Sequence, residues 1–249
     1  MRIVVAGGTG TVGRHVVERI RARGHDAVVL ARSSGTDLVS GWGLDAALDG
    51  ADAVVDTTSV STLNADAAVR FFDAATRNLL AATARAGVGH VLALSIVGID
   101  RNPNGYYAGK AAQEALIEGS DAPWTIVRAT QFHEFAGQVA SQARMAGIQL
   151  APRARVQPVA AADLAAHLAE VVERGPQGRA QDVSGPQEED LARLIREQVR
   201  HDGRRGPVIP VALPGAQMRG MRAGHALPGP DALRIGPVFD DWLRTQPRG

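Results

Sequence analysis

The sequence predicts an α/β fold of the Rossmann type: a doubly wound parallel sheet with a small C-terminal substrate lobe. Three observations carry this expectation. Short β-branched apolar runs alternate with helix-length amphipathic segments over the first 130 residues, the pattern of βαβ units. A glycine-rich turn joins the first strand to the first helix. Beyond residue 130 the alternation loosens, and residues 201–237 are rich in glycine and proline.

In order, residues 3–6 (IVVA) form a strand covered on both faces. Residues 7–13 turn, and 14–22 form a helix with Val16, Val17 and Ile20 on one face and Gly24 as its stop. Strands follow at 27–31, 53–56, 91–94 and 124–127, separated by helices at 44–48, 69–86 and 109–118. Farther on, 161–173 and 188–199 read as amphipathic helices. Within 201–237 only a strand at 208–212 and a short helix at 217–222 stand out, with Met218 and Met221 as lobe packing. Phe239 to Leu243 is an apolar anchor. The expected division is a dinucleotide-binding core over 1–130, then a segment over 131–249 that completes the core and forms the substrate lobe.

Composition narrows the function. The 249 residues include no cysteine, which excludes disulfides, thiolate nucleophiles and cysteine-ligated metals. A formal net charge of +1 gives no basic footprint for nucleic acid or an anionic membrane. No apolar run reaches the length of a membrane span, and Met1 leads into the glycine turn without a cleavage site, so a cytoplasmic protein acting on a small molecule is expected. The oligomeric state stays open, a homo-oligomer included. The seven histidines form no H-x-x-x-H pair, so no metal is expected.

Gly7, Gly10 and Gly13 sit at the spacing G-x-x-G-x-x-G, with Thr9, Thr11 and Val12 between them. Glycine there permits a tight strand-to-helix turn and close backbone approach to a pyrophosphate, which the helix N-terminus then faces. At the end of the second strand an acidic residue would accept from a ribose 2′-hydroxyl. Arg32 stands there instead, followed by Ser33 and Ser34, a donor set suited to a 2′-phosphate. The expected cofactor is NADP(H). Thr57, Thr58 and Ser59 follow the 53–56 strand and are placed on the adenosine or ribose side. Gln131, Phe132 and His133 follow the 124–127 strand, where a nicotinamide would lie. Gln131 is assigned to the cofactor; Phe132 and His133 are assigned to the substrate.

Tyr106 and Lys110 are four residues apart at a helix start, hence on one face. Of the 27 basic residues Lys110 is the only lysine. An ammonium beside a phenol lowers its pKa and suits it to pass a proton to a carbonyl oxygen while hydride arrives.

Together the glycine turn, Leu30-Ala31-Arg32, Asn78-Leu79-Leu80, Leu94-Ser95, Tyr106 with Lys110, and the segment from Pro123 to Arg128 resemble the short-chain dehydrogenase/reductase superfamily. The likeness is greatest to its atypical, NmrA-like branch of NAD(P)H-binding proteins, over residues 1–135. The lobe is similar only at Asp163-Leu164-Ala165 and the closing anchor. This resemblance implies Tyr106 as proton donor and Lys110 on the nicotinamide ribose. It also implies Ser95 as the residue orienting a substrate carbonyl, although Ile96 and Val97 follow it directly. The branch includes redox-sensing members that bind the dinucleotide without turnover. The readings that follow are an NADPH-dependent oxidoreductase acting on a small apolar carbonyl compound or quinone, a non-catalytic NADP(H) sensor working through a protein partner, and a cofactor-recycling isomerase or epimerase.

Overall fold

The computed structural model describes residues 1–145 and 147–248. Its first half follows the alternation: β1 (Arg2–Ala6), α1 (Gly13–Ala22), β2 (Asp26–Leu30), α2 (Leu44–Leu48), β3 (Ala53–Asp56), α3 (Ala65–Ala86), β4 (His90–Ile96), α4 (Tyr106–Glu118) and β5 (Trp124–Ala129). The second half adds α5 (Glu134–Gln142), β6 (Arg144–Met145), β7 (Ile148–Pro152), β8 (Arg155–Val156) and α6 (Ala161–Glu173). After these come β9 (Gly178–Arg179), β10 (Val183–Ser184), β11 (Glu189–Asp190), α7 (Leu191–His201), β12 (Val208–Val211), α8 (Ala216–Arg222), β13 (Leu233–Arg234) and α9 (Phe239–Thr245).

The main sheet runs β2-β1-β3-β4-β5-β10-β13, with β9 also on β5, and every pairing in it is parallel. Because helices cover both faces, β3 is buried throughout and β1 is buried from Ile3 onward. On one face Val16, Val17 and Ile20 of α1 pack with Leu164, Leu168 and Val172 of α6. On the other, Leu44 and Leu48 of α2 meet Leu79 and Ala82 of α3. The segment after residue 130 thus sends α6, β10 and β13 into the main body. Its remainder builds a second apolar cluster in which Ile99 and Tyr107 meet Ala136, Leu194, Ile195, Met221 and Phe239. Smaller sheets, β6-β7-β12 and β8-β11, belong to that part.

Strand order reverses at β1, between β2 on one side and β3 on the other. In open α/β sheets the crevice outside the carboxyl ends at such a reversal receives ligands. The glycine turn leaves β1 there, and Thr57 to Ser59 leave β3 beside it.

Candidate functional site

The turn after β1 is a cradle without room for side chains. Gly7 has φ +72°, and a Cβ on it would press on the Thr57 and Thr58 backbone at 3.0 Å. A Cβ on Gly13 would collide with the Gly7 carbonyl and lie 2.7 Å from Thr57 Oγ1. Thr57 is thereby the cradle's wall, and its N–H and hydroxyl both donate to the Ala6 carbonyl, at 2.9 and 2.8 Å. The Gly10 N–H donates to Gly7, while the N–H groups of Thr11, Val12 and Gly13 find no acceptor among the described residues. From the lobe, Gln138 of α5 reaches over this turn and donates to Thr11 Oγ1 at 2.8 Å.

At the end of β2 Arg32 and Ser33 are exposed. Ser34, expected beside them as a further donor, turns back on the strand end instead. Its hydroxyl donates to the Ala31 carbonyl at 2.7 Å and accepts from the Ala31 N–H at 3.0 Å, closing the turn.

A buried polar chain crosses from α4 to the loop after β3. Lys110 donates to the Leu94 carbonyl at 2.7 Å and to Gln113 Oε1, and its ammonium lies 4.7 Å from the centre of the Phe72 ring. Gln113 Nε2 donates to Asp56 Oδ2 at 2.8 Å. Asp56 Oδ1 accepts from the Thr58 N–H at 2.9 Å and the Thr58 hydroxyl at 2.6 Å. Burial pulls the Lys110 amine down to about 8, against the attraction of Asp56 and Glu114. The lysine sits this deep because α4 lies tight on α3: a Cβ on Gly109 would stand 2.7 Å from the Phe72 ring.

The Tyr106 hydroxyl does not join Lys110. It meets Ser59 Oγ at 3.1 Å, and no hydrogen bond links the phenol to the ammonium among the described residues. Burial pushes the phenol up to about 12, with the Asp56 charge adding to it and the Ser59 hydrogen bond opposing. Direct tuning of the phenol by the ammonium, expected from the spacing, therefore has no counterpart in this geometry. The two side chains share a helix face, but their ends go to different partners.

Ser95 is buried at the end of β4, beside Glu114 of α4, whose carboxyl, against the opposing effect of burial, it helps Arg128 to hold below the usual range. Strand alternation puts it with Ala93, which packs against Ile117 of α4. Gln131 Nε2 donates to the Tyr107 hydroxyl at 3.0 Å, leaving its buried Oε1 without a donor. Phe132 bridges to Val159 and packs on the core. His133 is sealed: its ring meets Phe239 and Trp242 of α9 at 5.5 and 5.2 Å, and Nε2 lies 3.1 Å from the Pro237 carbonyl. That is a packing position holding the C-terminal helix, not an open substrate wall. Two residues escaped sequence reasoning. Gln113 and Gln217 occupy positions with no distinctive signal, yet Gln217 Oε1 accepts from the Tyr106 N–H at 3.2 Å and docks α8 on the start of α4. Beside that contact lies a cavity of about 300 Å³ whose lining includes Arg101, Asn102, Asn104, Arg219 and His225.

The sequence profile of the NAD(P)H-binding family matches residues 36–175, more than half of the chain. The chain belongs to that family. The matched stretch holds the loop after β3, α3, α4 and β5, and the glycine turn precedes it. Sequence comparison with curated proteins finds no match. Among solved structures, the NADPH-dependent quinone oxidoreductase QOR2 of Escherichia coli, complexed with NADPH, is 20% identical with a TM-score of 0.75, over 97% of this chain and 98% of that one. UDP-glucose 4-epimerase of Thermus thermophilus, in complex with NAD, is 18% identical with a TM-score of 0.70, over 98% and 99% of the two chains. A dTDP-4-dehydrorhamnose reductase of Clostridium acetobutylicum is 15% identical, TM-score 0.67, over 85% and 84%. These likenesses are of fold.

An NAD(P)H-binding protein needs donors for a pyrophosphate and room for its backbone approach, and the cradle has both. The unpaired N–H groups at the α1 N-terminus and the bare surfaces of Gly7 and Gly13 fit the phosphates. The orphaned Gln131 Oε1 fits an amide donor such as a carboxamide. Among the described residues no group of His, Asp and Glu side chains forms a metal site, and no helix is long and apolar enough to cross a membrane.

Proposed function

We propose that the protein is an NADPH-dependent oxidoreductase that reduces a small apolar carbonyl compound or quinone, with Tyr106 as the proton donor. The observation that carries this reading is the position of Tyr106: its hydroxyl touches Ser59, two residues along the loop from Thr57, the wall of the dinucleotide cradle. Two residues of chain span at most about 7 Å, which sets the phenol beside the crevice. Bound NADPH supplies hydride from its nicotinamide.

The chain supplies the proton. A phenol pushed up to about 12 is fully protonated near neutrality, which is the form a reduction consumes. The reverse oxidation needs a phenolate, which the same burial disfavours. This asymmetry supports a reductase over a dehydrogenase. Ile96, Phe135 and Met218 pack with Tyr106 against one apolar cluster, which favours an apolar acceptor. Arg32, exposed where an NAD site would carry an acid, supports NADPH over NADH. Lys110 holds the strand end and the loop after β3 through Leu94, Gln113 and Asp56; in this reading it keeps the crevice in shape, and Ser95 supports β4 from beneath α4.

The test is turnover. Purified protein with NADPH and a panel containing 1,4-benzoquinone and simple ketones consumes NADPH with matching product if the reading holds. NADPH binding without consumption on any acceptor points to the sensor, and substrate conversion without net NADPH loss points to the isomerase.

A further inference from the structure

We propose that Ser59 is a catalytic residue, the group that returns a proton to Tyr106 after each reduction. This rests on the reading of Tyr106 as the acid. Once the phenol has given its proton to the product oxygen, it must regain one from a neighbour that exchanges with water. Lys110 is badly placed for that task. Its amine is buried, engaged by the Leu94 carbonyl and Gln113, and faces the Phe72 ring. Tyr107 has its hydroxyl occupied by Gln131 in the lobe core and is itself buried. Ser95 is buried at the end of β4, under α4. Ser59 alone among these both touches the Tyr106 hydroxyl, at 3.1 Å, and is exposed to solvent.

The loop that carries Ser59 is held on each side of it. Thr57 is fixed by its two bonds to the Ala6 carbonyl, and Thr58 by its two bonds to Asp56, itself tied through Gln113 to Lys110. The lysine thus reaches the tyrosine indirectly, by way of the loop it anchors. In the step proposed, the Tyr106 O–H bond breaks as its proton goes to the substrate oxygen, and the Ser59 hydroxyl proton passes to the phenolate. Water gives its own proton to Ser59 in the same motion, so no serine alkoxide forms and two protons move together. The two electrons come from the hydride of NADPH, and the net consumption is one proton from solvent.

The experiment compares wild type, Ser59→Ala, Ser59→Thr and Tyr106→Phe. For each, NADPH affinity, melting temperature and the steady-state turnover rate with 1,4-benzoquinone are measured in mixtures of light and heavy water. Expected for Ser59→Ala is a rate loss of about tenfold or more, less than the roughly 10²–10⁴-fold of a general acid because water can reach the phenol in its place. Affinity and melting temperature stay near wild type. The dependence of rate on deuterium fraction, curved in wild type because two protons move, becomes linear, and Ser59→Thr restores both rate and curvature. A Ser59→Ala protein with wild-type rate and wild-type curvature overturns the relay alone, provided Tyr106→Phe is inactive. Wild-type rate in Tyr106→Phe overturns the reading beneath it, and NADPH binding without oxidation in wild type overturns both.

Discussion

Gly13 has nowhere to put a methyl group, because the Gly7 carbonyl and Thr57 Oγ1 already fill the space. Gly13→Ala is expected to cost about 1–3 kcal/mol of stability, the range for overpacking, and to abolish tight NADPH binding; thermal melts with and without NADPH check both. Arg32 acts differently, since it is exposed and supports nothing. Arg32→Ala should leave the melting temperature unchanged and weaken NADPH by about 1.5–3 kcal/mol, the range for a hydrogen bond to a charged group, with NADH affinity held. Equal losses for the two coenzymes would refute the assignment. Lys110 gives a pH signature. Its amine is pulled down to about 8 in the fold from 10.5, so the unfolded chain binds more protons between those values. Stability therefore rises with pH across that window. Denaturant titrations from pH 7 to 10.5 should show the rise in wild type and lose it in Lys110→Met.

At the scale of elements, α4 is the piece on which the site depends, and five neighbours hold it. Gly109 lets it close on α3, Gln217 caps its first turn from α8, and Gln113 ties it to β3. Glu114 joins it to β5 and β9 through Arg128 at 2.6 Å and Arg179 at 2.9 Å. Glu114→Gln leaves Arg128 without its buried partner and is expected to destabilise the fold by about 3–5 kcal/mol, as breaking a buried pair does; chemical denaturation reads it. This scale also shows what the sequence made legible. The strand at 53–56 and the helix at 161–173 have the bounds their apolar patterns imply, because the strand is buried throughout and the helix buries one face at helical spacing. The start of α3 lies four residues before the expected one, at a turn capped by Asn64, whose side chain accepts from the Ala67 N–H. Helix α5 gave no clear pattern, burying only Ala136 and Ala140 among its residues. Two-residue strands such as β8 and β10 are set by their partners and leave no periodicity to read.

Over the whole molecule, the sheet and lobe clusters meet around residues 96–107 and 131–136, so the candidate site lies on a seam. The glycine cradle was legible because its spacing is dictated by backbone sterics. The Tyr106 to Lys110 spacing was legible too, but the destination of each side chain was not. Sequence spacing gives a shared helix face, whereas Ser59, 47 residues from Tyr106, and Gln113 with Asp56, 57 residues apart, decide what each end touches. The same folding seals His133 against α9. Burial pushes His90, His133 and His167 below 6.5, so they stay neutral in the fold while the unfolded chain takes up protons first. Stability should thus fall as the pH drops below about 6.5, and His133→Phe should flatten part of that fall in urea midpoints. The central claim, that Tyr106 protonates what NADPH reduces, is tested most directly by measuring NADPH affinity and NADPH-dependent quinone reduction side by side in wild type and Tyr106→Phe. If Tyr106 is the acid, affinity is unchanged while the rate falls by about 10²–10⁴-fold, the span of a general acid; an unchanged rate in Tyr106→Phe rules that role out.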